Sequence, residues 1–191
     1  MITFAVIKYT YMHTKEEKMA AFSRLLDVQE RLRKECPWDR KQTNESLRPN
    51  TIEEVYELCD ALLNDDKKNI CKELGDVMEH VLFYSILGEE TRDFDLADVC
   101  NKQADKLMFR HPFIDWTGWK GDPKQENTAE RESSTDNPKT EQQVEQTWEQ
   151  IKQKEKDGNK TVLSGVPDSL PSLIKAYRIQ DKARNVGFDW K

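Results

Sequence analysis

Residues 51–76 read TIEEVYELCDALLNDDKKNICKELGD, and the spacing of their acids decides the fold. Two acidic pairs, Glu54-x-x-Glu57 and Glu73-x-x-Asp76, stand at helical spacing. Residues three apart on an α-helix lie about 60° apart around the axis and roughly 4.5 Å apart along it, so each pair points one way. The polar link Asn64-Asp65-Asp66-Lys67-Lys68 suits an antiparallel helical hairpin. Such a hairpin brings four carboxylates together on facing helices. Two like charges about 5 Å apart repel by on the order of 3 kcal/mol at an effective dielectric of about 20. A converged cluster of four therefore calls for divalent cations, and hard oxygen ligands suit Mg²⁺ or Mn²⁺. The expectation is a metal-dependent enzyme acting on phosphates.

The residues around each pair sharpen that expectation. On the helix of the first pair, Ile52, Val55, Leu58, Cys59, Leu62 and Leu63 take one side. Glu53, Glu54, Glu57 and Asp60 take an arc of about 120° opposite, which alone is what any solvated face looks like. The next helix is different. Ile70, Leu74, Val77, Met78, Val81 and Leu82 form its stripe, with Phe83 and Tyr84 on either side of the line through Glu73, Asp76 and His80. An acidic pair on a helix that is apolar nearly all round should face something inside the assembly. Carboxylates are rarely buried unless paired or metal-bound. Di-iron bundles use Glu-x-x-His on two helices; neither pair here has His at that position, so all-carboxylate ligation favours magnesium over iron.

Outward from the hairpin the chain reads as an all-α bundle. A first helix is expected over 17–35, ended by Cys36-Pro37-Trp38-Asp39 because Pro restricts the residue before it. Ser46 or Asn50-Thr51 can cap the second, which runs to about 63. A third is expected over about 68–90 and a fourth from 95 to about 110, stopped by His111-Pro112. Residues 121–140 hold no large apolar side chain and read as a mobile loop or linker. Helical pattern resumes over 141–156 and 169–186, with Gly187 as a C-terminal cap. The expected organisation is an extension over 1–16, a helical catalytic domain over 17–120, the linker over 121–140 and completing helices over 141–191.

Composition bounds the function classes. Of 191 residues 35% are charged and only 7 are Gly, which favours helices. A net charge of −6 argues against a general nucleic-acid binder, which presents a basic surface. Cys36, Cys59, Cys71 and Cys100 show no C-x-x-C spacing, and Cys59 and Cys71 read as reduced, buried thiols. A cytoplasmic protein is expected. The start, MITFAVIKYTYM, is too short for a membrane span and lacks a small-residue cleavage site. It suits a short strand or an extension ahead of Met12 or Met19.

Triphosphate chemistry also needs cations for the oxygens a metal leaves free. Lys106 and Arg110 share a helix face, and Lys102 extends the row. Cations at a helix C-terminus are equally favourable for the helix itself. Trp148 and Lys152 repeat the spacing, as an aromatic plane plus an ammonium, although Val144, Trp148 and Ile151 could simply pack a helix. Trp38 with Asp39 is a second stacking candidate, or an anchor for a long loop.

The ordered set of motifs resembles a MazG domain. It comprises Cys36-Pro37-Trp38-Asp39-Arg40, Gln42-Thr43, Ser46-Leu47-Arg48, the run from Thr51 to Glu57, Glu73-Leu74-Gly75-Asp76, Lys106-Leu107 and Arg110-His111-Pro112. Trp148-Glu149-x-Ile151-Lys152 and Gly187-Phe188-Asp189-Trp190 complete it. The resemblance implies an all-α nucleoside triphosphate pyrophosphohydrolase that uses Mg²⁺ to cut between the α and β phosphates. It implies Glu54, Glu57, Glu73 and Asp76 as metal ligands, with one of these carboxylates orienting the water and Glu53 assisting. Lys106, Arg110, Trp148 and Lys152 would contact substrate, in a homodimer or a dimer of dimers. The apolar residues on nearly all sides of the third helix between Leu74 and Leu87 predict that a homodimer pairs through this segment, with Phe83 and Tyr84 near the interface. His111-Pro112-Phe113 departs from the more usual His-Pro-His. Many members carry a second copy of the domain beginning soon after the Gly-Phe-Asp-Trp segment, and this chain stops at Lys191. One alternative is therefore a catalytically weak nucleotide-binding module of the same fold; a second, which shares the carboxylate pattern but not the ordered outer motifs, is a phosphoribosyl-ATP pyrophosphohydrolase-like enzyme.

Overall fold

Thr14 and Thr43 each begin a helix through a capping box. The Thr14 hydroxyl accepts from the Glu17 amide while Glu17 reaches back to the Thr14 amide, and Thr43 and Ser46 repeat the exchange. The computed structural model describes residues 12–116, 140, 144, 161, 163, 165–185 and 188. Its helices with defined ends are α1 (Lys15–Glu35), α2 (Asn44–Leu63), α3 (Lys67–Thr91), α4 (Leu96–Arg110) and α5 (Ser172–Asn185), with a 3₁₀ turn over Asp39–Lys41. No strand occurs among the described residues, as the all-α reading expects. None of these helices is long and apolar enough to cross a membrane.

Contacts divide the chain into two units, Met1–Cys100 and Asn101–Lys191, so α4 starts in the first and ends in the second. In the first unit α2 and α3 form the principal packed pair, and α1 packs on α3 and on the 3₁₀ turn. Asp66 caps α3 by accepting from the Lys68 and Asn69 amides, each at 3.1 Å. Asp65 takes a left-handed conformation, φ 52°, to reverse the chain in a three-residue link. Leu47, Phe83 and Leu87 form the core of the pair, with Tyr84 against it. At the far end of α3 the Phe94 ring lies 2.7 Å from where a Cβ on Gly88 would stand, so the chain turns towards α4 over a residue with no side chain.

α2 begins before both caps expected for it and runs through Pro49. Its first turn is held by the Thr43–Ser46 box and by Leu47, which is 2% exposed. Proline costs one helical hydrogen bond, and burying Leu47 offsets that.

The apolar stripes are covered unevenly. Leu82, Phe83, Ile86 and Leu87 of α3 are buried, whereas Leu74, Met78 and Val81 are exposed, as are Ile52, Val55, Leu62 and Leu63 of α2. Cys59 and Cys71 are exposed free thiols rather than buried ones, because they too lie on this uncovered side.

In the second unit α4 ends at Arg110, where the His111 imidazole Nδ1 lies 2.6 Å from the Leu107 carbonyl and satisfies the helix terminus. Trp116 Nε1 donates to the His111 carbonyl at 3.1 Å, and Lys175 of α5 pairs with Asp168 at 2.6 Å. Apart from Val144, the helix expected over 141–156 lies outside the described residues, as do 1–11 and all of 121–140 except Thr140.

One side chain ties the first unit together. Arg33 of α1 donates Nε and Nη2 to the Glu90 carboxylate of α3 at 2.7 and 2.8 Å. Its Nη1 donates to the Asp39 carbonyl and, at 3.2 Å, to the Gln42 carbonyl, while the guanidinium lies 5.9 Å from the Phe83 ring centroid. The Arg33 side chain is 14% exposed, so its removal leaves two carbonyls short of a donor. Arg33→Ala is expected to cost about 3 kcal/mol, read as a lowered urea midpoint; a midpoint within error of wild type would refute the clamp.

Candidate metal centre

The short link sets α2 against α3 so that their acidic faces meet. Glu54 and Glu57 of α2 and Glu73 of α3 present carboxylate oxygens that all lie within 4.8 Å of one another. Glu73 is 5% exposed, Glu54 is half-buried and Glu57 lies at the edge. Asp76 adjoins them: the Lys72 ammonium is 3.0 Å from Glu73 Oε1, 3.2 Å from Asp76 Oδ2 and 3.9 Å from Glu57 Oε2. Glu53 is exposed and stands outside the convergent group.

The electrostatics report a surplus of negative charge. Burial, followed by repulsion from Asp76, Glu57 and Glu73, holds the Glu54 carboxyl above the usual glutamate range. Hydrogen bonds to Glu73 and then Asp76 hold the Lys72 ammonium above the ordinary lysine value. The donor set is carboxylate oxygen throughout, which fits Mg²⁺ or Mn²⁺ and offers nothing that prefers a softer ion.

A cleft of about 170 Å³ opens beside the centre, lined by Trp38, Asn50, Glu54, Asp76, Glu79 and His80 over a floor of Leu47 and Phe83. Trp38 is 57% exposed while the adjacent Asp39 is 6% exposed, so the loop is anchored through Asp39 and the indole is left at the rim. Partial burial raises the Glu79 carboxyl. Thr51 Oγ1 lies 3.0 Å from His80 Nδ1, 2.6 Å from the Tyr84 hydroxyl and 3.1 Å from the Leu47 carbonyl. A threonine has one hydroxyl proton, so at least one of His80 and Tyr84 must donate to it. The network holds the imidazole by Nδ1 at the wall of the cleft.

Lys106 and Arg110 lie in the second unit, on α4, where Lys106 is exposed and Arg110 half-buried. Trp148 and Lys152 lie outside the described residues. Asn50, Lys72 and the Thr51–His80–Tyr84 network are additions that the acid spacing did not single out. Their signal was local: Lys72 precedes Glu73 by one residue and Asp76 by four, and His80 follows Asp76 by four, so all three share a face.

An all-α fold with a carboxylate centre in a helical hairpin defines the class. Residues 42–114 match the family model of the MazG nucleotide pyrophosphohydrolase domain. A nucleoside triphosphate pyrophosphohydrolase of Escherichia coli is 37% identical over 177 residues, covering 90% of this chain and 60% of that protein. The nucleoside triphosphate pyrophosphohydrolase/pyrophosphatase MazG of Thermotoga maritima is 36% identical over 89% of this chain and 59% of its own length. The chain thus spans about three fifths of the length of these curated relatives. A solved mazG-related protein from Thermotoga maritima superimposes with a TM-score of 0.52 at 24% identity, over 69% of this chain and 98% of that one, and shares the fold.

The raised carboxyls set a pH dependence. In the metal-free protein Glu54 binds its proton more tightly folded than unfolded, so its contribution to stability falls as pH rises from the ordinary glutamate value through the folded one. Glu54→Gln removes that loss. Its melting temperature in chelator is expected to exceed wild type at pH 7 and to approach it at pH 4; a gap independent of pH would contradict the assignment.

Proposed function

We propose that this chain hydrolyses nucleoside triphosphates to the monophosphate and pyrophosphate, with Mg²⁺ held by Glu54, Glu57, Glu73 and Asp76. The observation that carries the reading is the convergence of Glu54, Glu57 and Glu73 within 4.8 Å at the mouth of a cleft rimmed by an exposed indole. Bound there, the cation supplies charge neutralisation of the triphosphate and a more acidic water. The protein's own part is positioning. Two helices fix the carboxylates, one of which orients the attacking water in line with the α-phosphorus, and Glu53 assists from beside them. Trp38 offers a flat face on which a nucleobase stacks, His80 and Asn50 offer polar edges to it, and Phe83 closes the floor. Lys106, Arg110, Trp148 and Lys152 are proposed to contact phosphate and base, on the strength of the family pattern.

Glu57→Ala and Asp76→Ala test the centre. Each is expected to lower turnover at least about a hundredfold with helicity by circular dichroism unchanged, since both side chains are only partly buried. Product analysis over a panel of triphosphates decides the reaction: orthophosphate in place of pyrophosphate would overturn it. Tight triphosphate binding without pyrophosphate release would instead support a nucleotide-binding module.

We also propose that the active form is a homodimer, alone or paired into a dimer of dimers. Ile52, Val55, Tyr56 and Leu62 of α2 and Leu74, Met78 and Val81 of α3 form an exposed apolar surface next to the centre, which is unusual on a soluble monomer. A two-fold contact is the commonest way to cover such a face. Phe83, expected near that contact from the helix pattern, is 2% exposed within the chain's own core, so the contact rests on Leu74, Met78 and Val81 instead. Sedimentation at micromolar concentration is expected to give a multiple of 22.5 kDa; a folded monomer would exclude the dimer.

A further inference from the structure

The Lys72 ammonium is already where the centre wants positive charge. It contacts Glu73 through both oxygens, at 3.0 and 3.2 Å, and lies 3.2 Å from Asp76 and 3.9 Å from Glu57. One of these carboxylates comes from α2 and two from α3, so the ammonium bridges the two helices rather than decorating one. Yet its side chain is 61% exposed. The charge is held in the centre while most of the side chain stays in solvent, free to carry that charge elsewhere.

We propose that Lys72 is a built-in counter-ion of the metal centre: it positions the carboxylates in the metal-free protein and swings out when a divalent cation enters. The inference rests on the metal-dependent reading above and adds to it a competitor for the site. Four carboxylates with no cation among them would push α2 and α3 apart at this end. A single ammonium offsets part of that repulsion, and a divalent ion offsets more, so exchange runs towards the metal when metal is present. Until then the centre stays assembled, with the ligands near the positions they need. The consequence is quantitative. If the ammonium fills the centre about nine-tenths of the time, the apparent dissociation constant for metal is about tenfold weaker than that of the open centre.

A merely structural ion pair behaves differently. An exposed lysine contributes little to stability, and its loss would leave metal affinity unchanged, or weaken it if the carboxylates drift. A competitor's loss tightens binding.

The test is Mn²⁺ binding to the full chain, followed by titration calorimetry and by the electron paramagnetic resonance signal of free Mn²⁺. Lys72→Met is expected to bind Mn²⁺ about tenfold more tightly than wild type. Its melting temperature should fall below wild type in chelator, and the gap should close at saturating Mn²⁺. Lys72→Arg, which keeps the charge, should stay within about twofold of wild-type affinity. Lys72→Gln gives the same comparison should the apolar replacement aggregate. Wild-type binding with equal or weaker binding by Lys72→Met and Lys72→Gln overturns the role of Lys72 and leaves the metal centre standing. No Mn²⁺ binding by any of these proteins overturns the metal centre and this proposal together.

Discussion

Arg33 joins three pieces of the first unit that secondary structure alone would leave loosely connected. It grips Glu90 near the end of α3 and the carbonyls of Asp39, which opens the 3₁₀ turn, and Gln42, which follows it, with Phe83 beneath the guanidinium. A planar, fixed fork suits this task where a flexible ammonium would not, because two separate acceptors and a carboxylate must be satisfied at defined angles. The grip has a local product. With Asp39 drawn inward, Trp38 is left at the rim of the cleft, and with Phe83 fixed in the core the cleft has a floor. The shape of the site is thus set by a residue that is neither a candidate ligand nor part of the cleft lining.

The centre itself runs against the grain of folding. Hydrophobic contact among Leu47, Phe83 and Leu87 draws α2 and α3 together, while the carboxylates at the other end push them apart. Glu54 registers the conflict in its raised proton affinity, and Lys72 eases it. Strain of this sort is common at functional sites because a group that is comfortable without its ligand has little reason to bind it.

Much of this was legible in the residues. The three-residue spacing within Glu54/Glu57 and within Glu73/Asp76, together with a short link that suits an antiparallel return, anticipated the approach of Glu54, Glu57 and Glu73 to within 4.8 Å of one another. The helix ends came within a few residues, except at the start of α2. There Ser46 or Asn50-Thr51 was expected as the cap, whereas the Thr43–Ser46 box and the burial of Leu47 start the helix at Asn44 and carry it through Pro49. Periodicity also shows that a helix has an apolar face without showing what covers it, so the buried state expected of Cys59 and Cys71 and the interface role expected of Phe83 could not be separated by pattern. The cleft was out of reach for a different reason. Trp38, Asn50 and His80 are far apart along the chain and meet only after α1 and the 3₁₀ turn have docked.

The three-residue link between α2 and α3 has a consequence in time rather than in space. Every carboxylate of the centre falls between residues 54 and 76, inside one hairpin whose ends need close only a short loop. Short loops close in well under a microsecond, so the acids can meet without waiting for distant parts of the chain. Whatever cation is at hand then eases the repulsion between the acidic ends of the two helices. A lysine carried on the same helix is at hand from the first turn onward, before any ion has to be captured from solution.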